Sequence, residues 1–493
     1  MRHLSLREYE KVSKGGEGEQ TSNDKRVISR RDYARLRRFD DQLEAREESR
    51  VFGWPSGAVK ARKWVGVVQI PGLTVEILPK IESDSTEERT SISQLGRKNL
   101  LYMLAVAKQL PIREQDVASL AVQQAPLHDT LIAIFARRLV EAFEQGRHQF
   151  YVAREENLHV LRGKLVFNEH IKRNAARRDR FYVRHDEFLP DTTINRILKA
   201  ACSRLVTKTT SSQAQRDLRR SLMLLDEVRD VQISREDFER IVFNRQNRRF
   251  EVLLNFCQLV LFGQTTGASQ GNLKSFSLLF NMQELFEAFM AEFIRREVFT
   301  VELLGEKAHD YKVRAQAKGA PRYLVYGRPE SLIDDEDLTD YRPRRDGREK
   351  EGYKLKPDIL VEDREGDPVL IIDTKWKRLS ADRTRQGVRG SDIYQLYGYA
   401  RTYDTSQNVL LFPDVAGENL KTQVFDLPII DPIERGAPKC IRSDFVDLQG
   451  DLKANRRAIA RQLKRILMRS IGASDAEATM TAMQHQPGTE TVS

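Results

Sequence analysis

Residues 356–379 read KPDILVEDREGDPVLIIDTKWKRL, and within them an apolar run, Val369-Leu370-Ile371-Ile372, passes without a break into Asp373-Thr374-Lys375. Such a run is built for burial, and burying an unpaired charge costs several kcal/mol at the least. The carboxylate and ammonium at its end therefore need a partner: they pair with each other structurally, or they do chemistry.

The residues around the run give it a shape. Residues 357–361, PDILV, read as one strand, EDREGD as a turn, and residues 369–376 as a second strand, so the stretch predicts a β-hairpin. Side chains alternate along a strand, which sends Asp373 and Lys375 to one face and Thr374 to the other, and pairing of the two strands brings Asp358 alongside. Two carboxylates beside a backbone carbonyl form an oxygen-rich site suited to Mg²⁺. A metal held there polarises a phosphate oxygen and acidifies a bound water, while a neighbouring lysine orients that water or neutralises developing charge. This is chemistry for hydrolysing phosphodiesters.

Two flanking segments extend the pattern. Downstream, SDIYQLYGYA sets Gln395 and Tyr399 four residues apart in a predicted helix, on one face. Upstream, NMQELFEAFM places Glu287 in a helix before the first strand, with Glu284 one turn earlier as its competitor.

The wider composition fits this reading. The chain has 493 residues, too many for one ordinary core, with 40% hydrophobic and 31% charged residues. Lys and Arg number 82 against 72 Asp and Glu, a net charge of +10 that favours an anionic partner, nucleic acid first among them. Cys202, Cys257 and Cys440 lie far apart, which suggests neither a disulfide framework nor a zinc site. No secretory leader is read at the N-terminus and no apolar run reaches the roughly 18 residues of a membrane span, so a cytoplasmic protein is expected. No G-x-x-x-x-G-K-[ST], H-E-x-x-H or G-x-S-x-G pattern occurs, and the chain is not expected to hydrolyse nucleotides by itself.

Along the chain, residues 1–50 read as a basic, partly flexible arm. WVGVVQIPGLTVEILPKIE predicts a second hairpin turning at Pro71-Gly72, and helical spacing follows in SISQLGRKNLLYMLAVAKQL and in PLHDTLIAIFARRLVEAFEQGRH, the latter ending near Gly146. The pattern assigns residues 51–275 to a mixed β and helical region that binds a partner, 276–435 to an α/β domain, 436–471 to a basic C-terminal helix and 472–493 to a disordered tail. Basic segments at 171–184 and 455–469 are candidate DNA grips or plain solvated faces, and the arginine-rich stretch at 26–37 reads as an exposed charged helix. His128, His148, His170 and His185 show no metal-ligand spacing.

The order Pro357-Asp358, then Asp373-x-Lys375, resembles the signature of the PD-(D/E)xK nuclease superfamily, and Gln395-x-x-x-Tyr399 resembles the Q-x-x-x-Y motif of RecB-type nucleases. More narrowly, MQELFEAF, KPDILV, VLIIDTKWKRL and DIYQLYGYA, with GLTVEILPKI and LRGKLVFNEHI nearer the N-terminus, resemble McrC, the nuclease subunit of the McrBC modified-cytosine restriction system, over most of residues 60–415.

The resemblance implies an α+β or α/β multidomain chain whose N-terminal hairpin and helical region precedes a restriction-endonuclease-like domain, a mixed sheet flanked by helices. It implies a Mg²⁺-dependent DNA endonuclease active only with a hexameric McrB-like AAA+ GTPase, which binds the GTP, recognises 5-methylcytosine and has its hydrolysis stimulated. Asp358, Asp373, Glu287 and the Thr374 carbonyl would bind metal, with Lys375 catalytic and Gln395 and Tyr399 in support. Two other readings stand beside it: an inactive nuclease-fold adaptor that regulates an NTPase, and a nuclease of another defence complex without methylcytosine dependence.

Overall fold

Pro71 and Gly72 turn the chain as their residue types require. Trp64–Ile70 pairs antiparallel with Leu73–Leu78, with Gly72 at φ +85°. In the computed structural model, the described residues are 2–22, 25–44, 49–81, 89–114, 117, 125–262, 275–304, 309–316, 322–323, 354–415, 417–418, 420–428 and 439–484. The chain forms two units, one of residues 1–62, 66–77 and 108–279, the other of 63–65, 78–107 and 280–493.

In the first unit the hairpin lies at the centre of a four-stranded sheet, flanked by Arg2–Arg7 on one side and Phe276–Asn281 on the other. Leu73–Leu78 is buried at every position. Gly66, at φ +126°, permits the close approach of the edge strand, because a Cβ there would run into the Leu278 carbonyl oxygen.

Where a partly flexible arm is expected, the described residues among the first fifty are folded. They form the strands Arg2–Arg7, Lys11–Lys14 and Val27–Ile28 and the helix Arg30–Glu44. The helix has a narrow apolar stripe, but Tyr33, Leu36, Phe39 and Leu43 are all buried, each stabilising by about 2 kcal/mol. Asp40, buried on the same helix, accepts from the backbone N–H groups of Val51 (2.7 Å) and Phe52 (3.3 Å) and from Trp54 Nε1 (2.8 Å). A stripe too thin to be conspicuous in sequence is thus enough to pin the segment.

The rest of this unit is a helical layer and a ribbon. Leu127–Glu144 packs on Ser212–Leu224, and Thr193–Leu205 packs on Ser212–Leu224 and Glu251–Phe262. Thr192 and Ser211 cap two of these helices by accepting from Asn195 N and Ala214 N. In the ribbon, Phe150–Leu158 pairs along its whole length with Phe181–Leu189. In sequence the start of that second strand reads as part of a basic segment, because FYVRHDEFL carries polar residues on both faces and shows no clean alternation.

The second unit is built on a six-stranded mixed sheet in the order Lys312–Ala315, Ile359–Glu362, Pro368–Thr374, Gln407–Asp414, Cys440–Asp447, Gln423–Asp426. The predicted hairpin is its centre: Ile359–Glu362 and Pro368–Thr374 pair antiparallel, with Ile359 opposite Ile372. Pro368–Thr374 then runs parallel to Gln407–Asp414, and the helix Gly390–Tyr403 makes the crossover that parallel pairing demands. Leu396, Tyr399 and Tyr403 of that helix pack on Leu360, Ile371, Leu410, Phe412 and Ile441. The helix Arg456–Gln484 also packs on this sheet, with Ile459, Leu463 and Ile466 buried.

The expected boundary at residue 276 misses one element. The helix Arg89–Val106 belongs to this second unit, where it packs on Met282–Phe293 with the Tyr102 and Phe289 rings 6.0 Å apart, and Asn99 Nδ2 donates to the Gly450 carbonyl at 2.8 Å. An apolar helix face does not record which core it will join. The C-terminal helix runs to Gln484, past residue 472 where a disordered tail is expected, since the added stretch carries four Ala and two Met, both good helix formers. Residues 485–493 and most of the polar stretch from 314 to 352 lie outside the described residues. Among the described residues, no helix is long and apolar enough to cross a membrane.

Candidate active site

The predicted site residues meet where the central strand leaves the core of the second unit. Asp373 has 0% exposure and shares the sheet face of Ile371, two residues earlier. Its Oδ2 takes the Lys375 ammonium in an ion pair at 2.5 Å, while its Oδ1 has no hydrogen-bond partner. Asp358, just before the neighbouring strand, turns its Oδ2 to Thr374 and accepts from both the backbone N–H and the Oγ1 hydroxyl at 2.7 Å.

The lysine is held from a second direction. Lys375 Nζ donates to Gln395 Oε1 at 2.9 Å, Gln395 Nε2 donates to the Tyr399 hydroxyl at 2.9 Å, and that hydroxyl donates to the Lys356 carbonyl at 3.0 Å. The i, i+4 pair read from the sequence therefore ties the helix to the residues before Asp358. Lys377 makes a second anchor through Asp392, at 2.6 Å.

Glu287 and Glu284 separate clearly. Glu284 accepts from Asn281 Nδ2 at the start of its helix. Glu287 accepts from Gln316 Nε2 at 2.9 Å, and Gln316 N donates to the Asp358 carbonyl at 2.8 Å, which puts Glu287 on the Asp358 side of the site.

The electrostatics follow from crowded, buried carboxyl groups. Burial, then the charge of Asp358, pushes Glu287 up to about 7. Asp373 is also raised, first by burial and then by Asp358, with Lys375 opposing. Asp358 is raised by burial and partly relieved by the two Thr374 donors. Burial also pushes the Tyr399 hydroxyl up to about 12, so it remains a donor at all ordinary pH values.

Sequence reasoning missed Gln283. Its side-chain amide spans the backbone on either side of Lys375: Nε2 donates to the Thr374 carbonyl at 2.7 Å, and Oε1 accepts from Trp376 N at 2.8 Å. The amide behaves like a short neighbouring strand and fixes the residue between. The available signal was its position one helical turn before Glu287.

Among the described residues, no group of three or more His, Cys, Asp or Glu stands close enough to cage an ion. The donor set present is two carboxylates and the Thr374 carbonyl, which keeps a lone pair beside the Gln283 bond. That set fits Mg²⁺, which is bound through one or two carboxylates and retains several waters. The buried Oδ1 of Asp373, with no hydrogen-bond partner, is the observation that favours a cation there.

Comparison with known proteins gives a class of restriction-system component. A family model described as McrBC 5-methylcytosine restriction system component matches residues 59–413. The protein belongs to this family. A curated relative, the type IV methyl-directed restriction enzyme EcoKMcrBC of Escherichia coli (strain K12), is 22% identical over 367 residues, covering 71% of this chain and 96% of the relative. A solved structure, a refined half-complex from a tetradecameric assembly of Thermococcus gammatolerans McrB AAA+ hexamers with bound McrC, is similar in fold: TM-score 0.58, 19% identity, 94% of this chain and 100% of that one. The cryo-EM structure of the Thermococcus gammatolerans McrBC complex is also similar, with TM-score 0.48 and 21% identity over 60% of this chain and 88% of that one.

Proposed function

We propose that this chain is the Mg²⁺-dependent DNA endonuclease subunit of a modification-dependent restriction complex, with a PD-(D/E)xK-like catalytic domain in its second unit. It works in company with an McrB-like AAA+ GTPase hexamer, which binds the GTP, senses 5-methylcytosine and has its hydrolysis stimulated by this chain. The observation that carries the catalytic part is Asp373: a fully buried carboxylate whose Oδ1 has no hydrogen bond, ion-paired through Oδ2 to a lysine and next to a second raised carboxyl. Without chemistry to do, such a group is a net cost to the fold. The family membership and the solved relative bound to McrB hexamers support the partner.

Asp358, Asp373 and the Thr374 carbonyl would hold Mg²⁺, with help from Glu287. Bound there, the ion supplies Lewis-acid chemistry, drawing charge from a phosphate oxygen and easing deprotonation of the attacking water. Lys375 Nζ, bonded to Gln395 and paired with Asp373, would neutralise charge that develops on the phosphate. Gln395 and Tyr399 keep Lys375 in register, and Gln283 keeps the Thr374 carbonyl aimed.

Melting of the full chain against Mg²⁺ concentration tests the metal site without any cleavage. Wild type should gain stability with added Mg²⁺ as a ligand of the folded state does, and Asp373→Ala should not respond. An equal response in both would remove Asp373 from the metal site.

A further inference from the structure

Residues 375–389, KWKRLSADRTRQGVR, lead from Lys375 to the helix that carries Gln395. Six of these side chains are Lys or Arg and one is acidic. Lys375, Lys377 and Arg378 have acidic partners in Asp373, Asp392 and Glu418. Arg383, Arg385 and Arg389 are exposed and make no ion pair among the described residues.

The backbone beneath them is unusual. Arg385 (φ +50°), Gln386 (φ +52°) and Gly387 (φ +91°) are three consecutive left-handed residues, two of which carry a Cβ that crowds the next carbonyl. This strained turn is firmly anchored. The buried Gln386 side chain clamps one residue of a neighbouring segment, donating from Nε2 to the Lys421 carbonyl (2.7 Å) and accepting at Oε1 from Lys421 N (2.8 Å). Gln386 N donates to Arg383 O at 2.8 Å, Val388 N donates to Arg385 O at 3.0 Å, and Leu379 and Val388 pack into the apolar cluster under the sheet. Next to the loop, Tyr394 on the second turn of the helix is 77% exposed.

A loop free to relax would not hold two strained residues and three unpaired cations in one fixed shape. Strain kept in place by its surroundings is the mark of a surface made for a ligand, and clustered guanidinium groups match phosphate oxygens, each able to bond two. We propose that this loop grips the phosphate backbone of duplex DNA beside the scissile phosphate, through Arg383, Arg385 and Arg389, with Tyr394 lying against the sugar edge. The inference rests on the nuclease reading above, and it assigns the loop affinity and placement rather than base recognition.

The test uses the full-length chain carrying Asp373→Ala, so that DNA is not cut, with a fluorescent unmethylated duplex titrated at several salt concentrations. Replacing the three arginines by Gln should weaken binding at least tenfold and flatten the plot of log K against log salt by about 2 to 3, near 0.9 for each phosphate no longer neutralised. Equal affinity and slope would overturn the proposal, as would the absence of DNA binding by the chain with its loop intact. Arg385→Gly supplies a folding control: it removes the left-handed Cβ, so its Tm should equal or exceed that of the parent while its DNA affinity falls. A raised Tm with unchanged affinity would contradict the grip. Cleavage by the otherwise wild-type chain with its AAA+ partner is the separate arm. No cleavage there sinks the nuclease reading, whereas cleavage unaltered by the loop substitutions at sub-saturating DNA sinks the grip alone.

Discussion

Lys375 Nζ stands 2.5 Å from Oδ2 of Asp373, yet this ion pair does not outweigh burial: the Asp373 carboxyl remains raised, by desolvation first and by the charge of Asp358 second. A folded-state value above the unfolded one means that the folded chain holds the proton longer. The stabilisation is therefore fully present below the ordinary carboxylate range and is lost as pH rises through about 7. The metal-free chain should lose Tm between about pH 5 and about pH 8, and Asp373→Asn should make that fall shallower. Melting curves across this range check it; identical slopes for the two proteins would refute the assignment.

Gln283 holds the Thr374 carbonyl and Trp376 N in one bidentate contact. Gln283→Ala should lower cleavage by roughly 10- to 100-fold, the usual effect of losing a group that orients a metal ligand. Part of that loss should be recovered at higher Mg²⁺. Gln283→Glu keeps the acceptor for Trp376 and loses the donor to Thr374, so it should resemble Ala. Rates measured across a Mg²⁺ series would decide it, and full activity of either variant would argue against the role.

Tyr399→Phe removes one hydroxyl that both accepts from Gln395 and donates to the Lys356 carbonyl. The stability cost should be about 1 kcal/mol, that of a hydrogen bond removed from a partly buried place. Cleavage should fall further than stability accounts for, because Gln395 is then free to turn from Lys375. Denaturant melts and single-turnover cleavage, compared on the same preparation, separate the two effects.

Gly66→Ala tests the fold of the first unit. At φ +126°, with the Leu278 carbonyl oxygen in the path of the added Cβ, the strand Phe276–Asn281 has to move or the substitution unfolds the sheet. A loss of about 3 kcal/mol or more is expected. Urea unfolding measures it, and a change under about 1 kcal/mol would show that the edge strand is not held so closely.

The hairpin that carries Asp358 and Asp373 was legible in the sequence because an apolar run ending in Asp-x-Lys sets burial against charge, and a strand's period of two fixes which side chains share a face. Gln395 and Tyr399 were legible for the same reason at helical spacing. Gln283 was not, since its partners are backbone groups ninety-odd residues away in sequence. Arg385 and Gln386 were not, since nothing in a residue other than Gly, Asn or Asp announces a left-handed backbone. The N-terminal segment was misread because charge hid an apolar stripe four residues long, and the helix Arg89–Val106 because sequence order does not tell a helix which core to join.

DNA cleavage is the direct test of the role proposed for Asp373 and its neighbours. Methylated and unmethylated plasmid should be incubated with Mg²⁺, GTP, this chain and the AAA+ partner, with wild type beside Asp373→Ala. Wild type should cleave methylated plasmid and the variant should not. If both leave DNA intact while stimulating GTP hydrolysis equally, the chain is a regulatory adaptor, and Asp373 and Lys375 are a structural pair.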